Sequence, residues 1–213
     1  MHGTKRRWRT IVAAAMLAAT GWTTAHAADI VETFDAGKPP AAVLGGLAKT
    51  GTDGAWAITL ADGAYVWRND SDAQAVRYIH IDPPPGDADG FADAAVEVDV
   101  TIGERGSAAG IVYRFDPASR TYLMFALLGD GQYAVLARGQ QGLKQVGRGT
   151  VPGVKPGTNR LAARTVGDKI EYLVNGARAV EVDIRGAAGK SVGIAAIGKG
   201  TFTFDNLSVR EAG

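Results

Sequence analysis

The stretch between residues 106 and 138 constrains the fold of this chain more than any other part of the sequence. It contains three apolar runs, over 110–115, 121–128 and 132–137, which are separated by short turns rich in aspartate and glycine. Apolar runs of this length divided by turn residues predict a three-stranded antiparallel meander. The middle run is apolar at odd and even positions alike, which is typical of a strand that is covered on both faces.

Alternation of apolar and polar residues predicts further strands along the chain. It is clearest in the segment VEVDVTI, where Val96, Val98 and Val100 share one parity and Glu97 and Asp99 share the other. One face of this strand is therefore expected in the core and the other in water. About a dozen short strands at roughly ten-residue spacing, without an amphipathic helix after the N-terminal segment, predict a single all-β domain.

Two dipeptides predict tight hairpin turns. Asp62-Gly63 lies between two short apolar runs, and Asn175-Gly176 joins two more runs in the C-terminal part of the sequence. Both pairs tolerate the positive φ angles of a type I′ turn, so we expect two-stranded antiparallel hairpins at these positions.

The N-terminal segment has the pattern of a cleaved export signal. Four basic residues precede an apolar run, and the small residues Ala25 and Ala27 follow it. This pattern predicts cleavage after Ala27 and a single β-sandwich domain over 28–213, located in the periplasm or secreted. The apolar run is shorter than the roughly 20 residues of a spanning helix, and the chain offers no cysteine for a lipid, so we expect neither a membrane span nor a lipid anchor.

Composition argues against several classes of function. The absence of cysteine excludes disulfides, thiolate metal sites and a cysteine nucleophile. Removal of residues 1–27 would take away four of the 23 Lys and Arg and none of the 22 Asp and Glu, which leaves a net charge of −3. Nucleic-acid binding relies on clustered basic side chains, whereas these are scattered among acids, so we expect no nucleic-acid partner.

Four phrases of the sequence carry a family resemblance: VEVDVTIG, AGIVYRFDPASRTYLMFALLGDGQYAVLAR, GTNRLAARTVGDKIEYLVNGARAVEVD and VGIAAIGKGTFTFDNLSV. Together they resemble exported bacterial domains of the concanavalin A-like lectin/glucanase superfamily, including its laminin G-like and 3-keto-disaccharide hydrolase-like branches. The resemblance spans residues 29–209 and implies a jelly-roll sandwich of two curved antiparallel sheets, with the first and last strands side by side. Families of this shape commonly bind or cleave saccharides on the concave sheet, and many members are plain recognition modules, so the fold alone does not fix the function.

Two enzyme families with this fold have motifs that can be compared with the chain. Laminarinase-type glycosidases place two glutamates around an aspartate, because a retaining mechanism needs two carboxyls about 5 Å apart. Glu97 and Asp99 match the start of that motif, but the second glutamate is absent and Glu104 lies too far along. The 3-keto-disaccharide hydrolase branch shows Asn-Ser-Gly where this chain has Ala-Ala-Gly, although Arg114 is retained. The sequence therefore favours a non-catalytic domain.

The candidate ligand-binding residues are polar and aromatic side chains of the predicted strands. Glu97 and Asp99 are expected to face Arg114 within one sheet, either as a cross-strand ion pair or as a polar patch that hydrogen-bonds sugar hydroxyls. Trp67 and Tyr122 are candidate platforms, since an apolar sugar face stacks on an aromatic ring. The other candidate rings are Tyr65 and Tyr78. For each ring, a position in the core is the alternative.

Two further positions bear on metal binding. Asp205 and Asn206, together with Asp35, form a candidate structural calcium site, because calcium prefers several oxygen ligands. A simple turn or strand-end cap is the alternative, and no other cofactor is expected. A histidine-based metal centre or catalytic triad would depend on His80, the one histidine after residue 27, and a lone histidine in an apolar strand is more often structural.

These observations lead to one interpretation of function and two alternatives. We interpret the chain as an exported, non-catalytic carbohydrate-binding or surface-recognition domain, whose partner is a saccharide or a cell-surface glycan. The first alternative is a hydrolase that acts on 3-keto-glycosides or related sugars. The second is a structural domain that docks a protein partner through a sheet edge.

Overall fold

Fifteen β-strands make up the regular structure of the chain in the computed structural model, which describes residues 29–35, 49–83, 90–184 and 187–211. These ranges contain no helix. The strands are β1 (Ile30–Glu32), β2 (Gly51–Asp53), β3 (Trp56–Ala61), β4 (Ala64–Asn69), β5 (Val76–Ile81), β6 (Ala94–Ile102), β7 (Ala108–Asp116), β8 (Thr121–Leu128), β9 (Gln132–Gly139), β10 (Gly142–Thr150), β11 (Asn159–Val166), β12 (Lys169–Val174), β13 (Ala177–Asp183), β14 (Ser191–Ile197) and β15 (Gly200–Glu211).

The strands form two antiparallel sheets. The nine-stranded sheet has the order β13-β12-β11-β6-β15-β4-β3-β2, and β1 also pairs with β15. The six-stranded sheet has the order β10-β9-β8-β7-β14-β5. Ile30 of β1 lies opposite Val209 of β15, so the first and last strands are side by side, as the family resemblance implies. The all-β jelly-roll sandwich expected from the sequence is confirmed.

Aromatic side chains fill the space between the sheets. Phe125 of the six-stranded sheet stacks on Tyr172 of the nine-stranded sheet, with 4.5 Å between ring centroids. The Trp67 ring packs on Phe204 at 4.8 Å and on Tyr65 at 5.5 Å, and all five of these side chains are fully buried. A buried aromatic side chain removes roughly 150–250 Å² from water, so these rings contribute much of the stability of a chain without disulfides.

The predicted meander is confirmed as β7, β8 and β9. Its middle strand is buried on both faces: Phe125 points into the core between the sheets, and Met124 belongs to a second apolar cluster on the outer face of the six-stranded sheet. The two predicted hairpin turns also form. Asn175 and Gly176 have φ angles of 50° and 82°, which are the positive values that a type I′ turn requires.

The connection between β6 and β7 crosses from one sheet to the other. Strand β6 pairs with β11 and β15 in the nine-stranded sheet, whereas β7 pairs with β8 and β14 in the six-stranded sheet. The expectation that β6 and the meander share a sheet is therefore wrong. Alternation along a strand shows which residues share a face, but it does not show which sheet the strand joins.

Two sequence predictions concern the N-terminal segment. The export signal over residues 1–27 lies outside the described residues and stays a prediction. Within the described ranges, the chain forms no helix that is long and apolar enough to cross a membrane.

The packing of β7 against β8 can be tested at Gly110. A Cβ atom at this position would overlap the backbone oxygen of Phe125, so a side chain there would push the two central strands apart. We expect Gly110→Ala to lower the free energy of unfolding by about 3 kcal/mol, measured by urea denaturation. Gly139 is the matched control, since its Cβ would meet no atom within 4 Å. An equal effect of Gly110→Ala and Gly139→Ala would contradict this packing.

Candidate functional site

Glu97 and Asp99 lie on the outer face of the nine-stranded sheet, where their partner is Arg160 of β11. The Arg160 Nη2 atom is 2.7 Å from Glu97 Oε2, and Nη1 is 3.2 Å from Asp99 Oδ1. Asn206 of β15 completes the group, because its Nδ2 donates to Asp99 Oδ2 at 2.8 Å and its carbonyl oxygen accepts from Arg160 at 2.9 Å. We call these four residues the Arg160 cluster.

Both carboxylates and the guanidinium of the Arg160 cluster have partners within the cluster. Partial burial lowers the pKa of Arg160, but the hydrogen bonds and charges of Glu97 and Asp99 outweigh this effect and raise it. Both carboxylates are bound to one guanidinium that stays protonated at every physiological pH. The cluster therefore has the form of a cross-strand ion pair rather than of an open site, and a ligand would have to displace existing hydrogen bonds.

Arg114 does not take part in that cluster. It lies on β7 in the other sheet, at a bulge where the register with β8 shifts and its own φ is 54°. Its Nη2 is 3.7 Å from Asp93 Oδ1, and the side chain is only 13% exposed. The predicted patch of Glu97, Asp99 and Arg114 does not form, because the chain crosses between the sheets before β7 begins.

Trp67 and Tyr65 are core residues. Neither side chain has any accessible surface, and Arg77 places its guanidinium carbon 4.9 Å above the Trp67 ring. The prediction of Trp67 as an exposed platform for a sugar is therefore wrong. Its position beside the polar residues Arg68 and Asn69 suggested an exposed strand end. The alternation of side chains along β4 instead points the ring inward, between the sheets.

An aromatic cluster lies on the outer face of the six-stranded sheet. It consists of Tyr78 and His80 from β5, Phe115 from β7 and Tyr122 from β8. The His80 ring stacks on Phe115 with 4.3 Å between centroids, and the Tyr78 ring lies 5.3 Å from Tyr122. Phe115 and Tyr122 are 2% and 4% exposed, whereas Tyr78 and His80 are half-buried and present part of their rings to solvent.

Small residues of the intervening strand allow this cluster to form. Strand β14 lies between β5 and β7, and its outward-facing positions opposite His80 and Tyr78 are Gly193 and Ala195. Since neither residue has a side chain large enough to separate the rings, the Tyr78 ring extends over β14 toward β7 and meets Tyr122, which reaches over from β8 on the other side of β7. The outer surface of the sheet is therefore low over β14, where the side chains are small, and raised where the aromatic rings lie.

Two hydrogen-bond donors at this cluster have no partner. The hydroxyl of Tyr122 is buried and makes no hydrogen bond. Burial raises its pKa, against a smaller lowering by the positive charge of Arg138, so it stays protonated and able to donate. Arg138 of β9 lies directly opposite Tyr122, is exposed, and forms no ion pair or hydrogen bond within the described part of the chain. A buried hydroxyl left without a partner costs about 1–3 kcal/mol, and a ligand oxygen would recover this once the neighbouring side chains had moved enough to uncover the hydroxyl.

Sequence reasoning identified part of this site. Tyr122 and Tyr78 were predicted as candidate rings, and both belong to the aromatic cluster, although a ligand-binding role for them stays a prediction. His80 was predicted as structural, and Arg138 was missed. A signal for Arg138 was present, because a hairpin centred on Asp130 places Arg138 opposite Tyr122.

The candidate calcium site gains no support from the structure. The described residues contain no group of three or more histidine, aspartate or glutamate side chains that could hold a metal ion. Asp205 Oδ1 instead accepts a hydrogen bond from the backbone of Asn206 at 2.6 Å, where Asn206 has a φ of 49°. Asp205 and Asn206 lie inside β15, at a bulge where the register with β6 shifts, rather than at a strand end. Calcium binding by Asp35 and Asp205 stays a prediction.

Comparisons with known proteins establish the fold. The sequence matches no protein-family model, and no curated protein matches it. Among solved structures, the carbohydrate-binding module CBM66 from Bacillus subtilis superposes with a TM-score of 0.53 at 14% identity, covering 73% of this chain and 90% of that one. A protein of unknown function with a galectin-like fold from the same organism gives 0.54 at 11% identity, covering 74% and 86%.

A third similar structure is larger than this chain. The GH43 protein BlXynB from Bacillus licheniformis gives a TM-score of 0.55 at 17% identity, covering 85% of this chain and 39% of that one. The chain thus has the concanavalin A-like jelly-roll fold that the resemblance implied.

The raised pKa of Asp205 gives a prediction about pH. Burial raises this pKa, the hydrogen bond from Asn206 opposes the rise, and the charges of Asp99 and Asp35 add to it. Because the folded state favours the protonated carboxyl, ionisation of Asp205 destabilises the fold as pH rises through the raised pKa. We therefore expect Asp205→Asn to raise the free energy of unfolding by about 0.5 kcal/mol at pH 7, and to have no effect below about pH 4.

Urea denaturation of both proteins at the two pH values measures this difference. If Asp205→Asn instead destabilises the protein at pH 7, the Asp205 carboxylate has a favourable partner and the assignment is wrong.

Proposed function

We propose that the protein is an exported, non-catalytic carbohydrate-binding domain that binds a saccharide or a cell-surface glycan over the aromatic cluster. One observation carries this proposal: the Tyr122 hydroxyl is buried without a hydrogen-bond partner, beside the half-exposed rings of Tyr78 and His80 and beside Arg138, which has no ion-pair partner among the described residues. Export is proposed on the sequence pattern of residues 1–27.

The chemistry of the aromatic cluster suits a saccharide. The apolar face of a sugar ring stacks on the exposed parts of the Tyr78 and His80 rings, and its hydroxyl oxygens accept hydrogen bonds at the ring edge. Tyr122 supplies one donor there, and the planar guanidinium of Arg138 supplies several in a fixed geometry. An apolar surface with a few placed polar groups is the usual form of a small-molecule site.

The outer face of the nine-stranded sheet is less suited to a ligand. Besides the Arg160 cluster, it carries a second charged group in which Glu171 accepts from Arg164 at 2.7 Å and Arg178 pairs with Glu181 at 2.8 Å. These charges are already matched across neighbouring strands. Such pairs stabilise a sheet surface modestly, and a sugar bound there would have to displace hydrogen bonds that they already make.

The fold supports the proposal without deciding it. A carbohydrate-binding module and a protein with a galectin-like fold share this architecture, which is consistent with a saccharide site on a sheet face. Glu97 and Asp99, which match the start of the laminarinase motif, are both bound by Arg160, and the second glutamate of that motif is absent from the sequence. Both observations favour a non-catalytic role.

The proposal can be tested by separating ligand affinity from stability. We expect Tyr122→Phe to leave the free energy of unfolding unchanged or slightly higher, because the hydroxyl has no partner within the protein. The same variant is expected to bind glycans about tenfold more weakly, since about 1.4 kcal/mol of hydrogen bonding is lost. Arg138→Ala is expected to weaken binding at least as much. The measurements are a glycan array, followed by calorimetry on the glycans that bind.

Arg164→Ala is the control, because it removes an exposed cation from the opposite sheet. Full binding by Tyr122→Phe, or loss of binding in Arg164→Ala, would contradict the assignment of the site. Release of free sugar from a bound glycan would favour the hydrolase alternative. Capture of a periplasmic protein without any dependence on glycans would favour the protein-docking alternative.

A further inference from the structure

A cleft of about 450 Å³ opens at one end of the sandwich, away from the aromatic cluster. One wall is the turn between β8 and β9, with Asp130 at its tip, and the other is the loop before β11, which contains Lys155. Ile102 and Leu127 form an apolar floor. Leu127 lies five residues along β8 from Tyr122, so the cleft is roughly 17 Å from the aromatic cluster.

The loop wall of this end cleft is held rigidly. Asn159, which is buried, accepts from the backbone N–H of Lys155 at 2.8 Å and donates to the carbonyl oxygens of Lys155 at 2.9 Å and Gly157 at 3.1 Å. Asn175 donates to Asn159 at 2.8 Å and to the carbonyl of Gly153 at 2.8 Å. Such a loop is already ordered before a ligand binds, which lowers the entropic cost of binding.

The turn wall is held in place as well. The Gly129 N–H donates to the carbonyl oxygen of Ser107 at 2.9 Å, and a Cβ atom at Gly129 would overlap the backbone of Glu104. Asp130 accepts from the backbone N–H of Gln132 at 3.0 Å, which fixes the tip of the turn. Only glycine allows the backbones at Gly129 and Glu104 to approach so closely, and this close approach sets the width of the cleft.

The charge at the end cleft is positive. Arg105 and Lys155 both line it, are exposed, and form no ion pair within the ranges that the structure describes. Asp130, the acidic residue of the lining, is already paired with Arg148 at 3.3 Å. Two cations without an ion-pair partner among the described residues, beside an apolar floor, favour a small ligand that carries a negative charge.

We propose that the end cleft is a second ligand site, and that it takes a carboxylate carried on a small ring of monosaccharide size. The carboxylate accepts hydrogen bonds from Arg105 and Lys155, and the ring lies on Ile102 and Leu127. The volume falls within the range of small-molecule sites, about 300–1,000 Å³. This site is independent of the aromatic cluster and of the function proposed for it.

The test follows backbone amides of the cleft by NMR. Gly129, Gly131 and Gly157 line it, and their amide signals report directly on occupancy. We expect D-glucuronate to shift these signals in a saturable manner. D-glucose, which lacks the charge, and inorganic phosphate, which lacks the ring, are expected to bind at least tenfold more weakly. The double variant Arg105→Ala/Lys155→Ala is expected to lose at least tenfold in glucuronate affinity while keeping the spectrum of the folded protein.

Lys169→Ala/Arg178→Ala is the matched control, because it removes the same two charge types from the outer face of the nine-stranded sheet, outside both the cleft and the aromatic cluster. It is expected to retain glucuronate binding. Because the amide signals report on the cleft itself, failure of this inference and failure of the proposed function are distinguished. The inference is overturned if no signal saturates, if the shifts persist in Arg105→Ala/Lys155→Ala, or if glucose binds equally well. It is also overturned if phosphate binds as tightly as glucuronate, because the cleft would then attract negative charge alone.

Discussion

The packing of aromatic side chains between the two sheets is the interaction on which the rest of the structure depends. Phe125 against Tyr172 joins the sheets directly, and Trp67 against Phe204 extends the same core toward β4 and β15. In a chain without cysteine, this burial must offset the conformational entropy of ordering fifteen strands. Because the main core occupies the inner face of each sheet, the two outer faces are left to differ in chemistry.

The two outer faces differ in how far their polar groups are satisfied. On the nine-stranded sheet, Arg160 binds both Glu97 and Asp99, so both carboxylates already have a hydrogen-bond partner within the protein. On the six-stranded sheet, Gly193 lets aromatic rings from different strands meet, and the buried hydroxyl of Tyr122 stays without a partner. A buried donor without an acceptor is unfavourable in the free protein. This cost is the physical reason to place a ligand on the second face and not on the first.

Sequence reasoning succeeded where the determining interactions are local. The alternation in β6, the meander and the turn at Asn175 are each set by neighbouring residues, and all were predicted correctly. It failed where the pairing of distant strands determines the position of a residue. The alternation along each strand predicts the face on which Glu97 and Arg114 lie. Only the crossing of the chain between β6 and β7 assigns these two residues to different sheets. Trp67 shows the same limit, since polar neighbours in sequence do not reveal that its ring points between the sheets.

A crystal structure of the protein with a glycan selected from an array tests the central claim most directly. We expect a sugar ring over Tyr78 and His80, with a sugar oxygen within about 3 Å of Tyr122 Oη and a second oxygen in contact with the guanidinium of Arg138. A glycan bound across Glu97, Asp99 and Arg160 on the opposite sheet, with the Tyr122 hydroxyl still unpartnered, would contradict it.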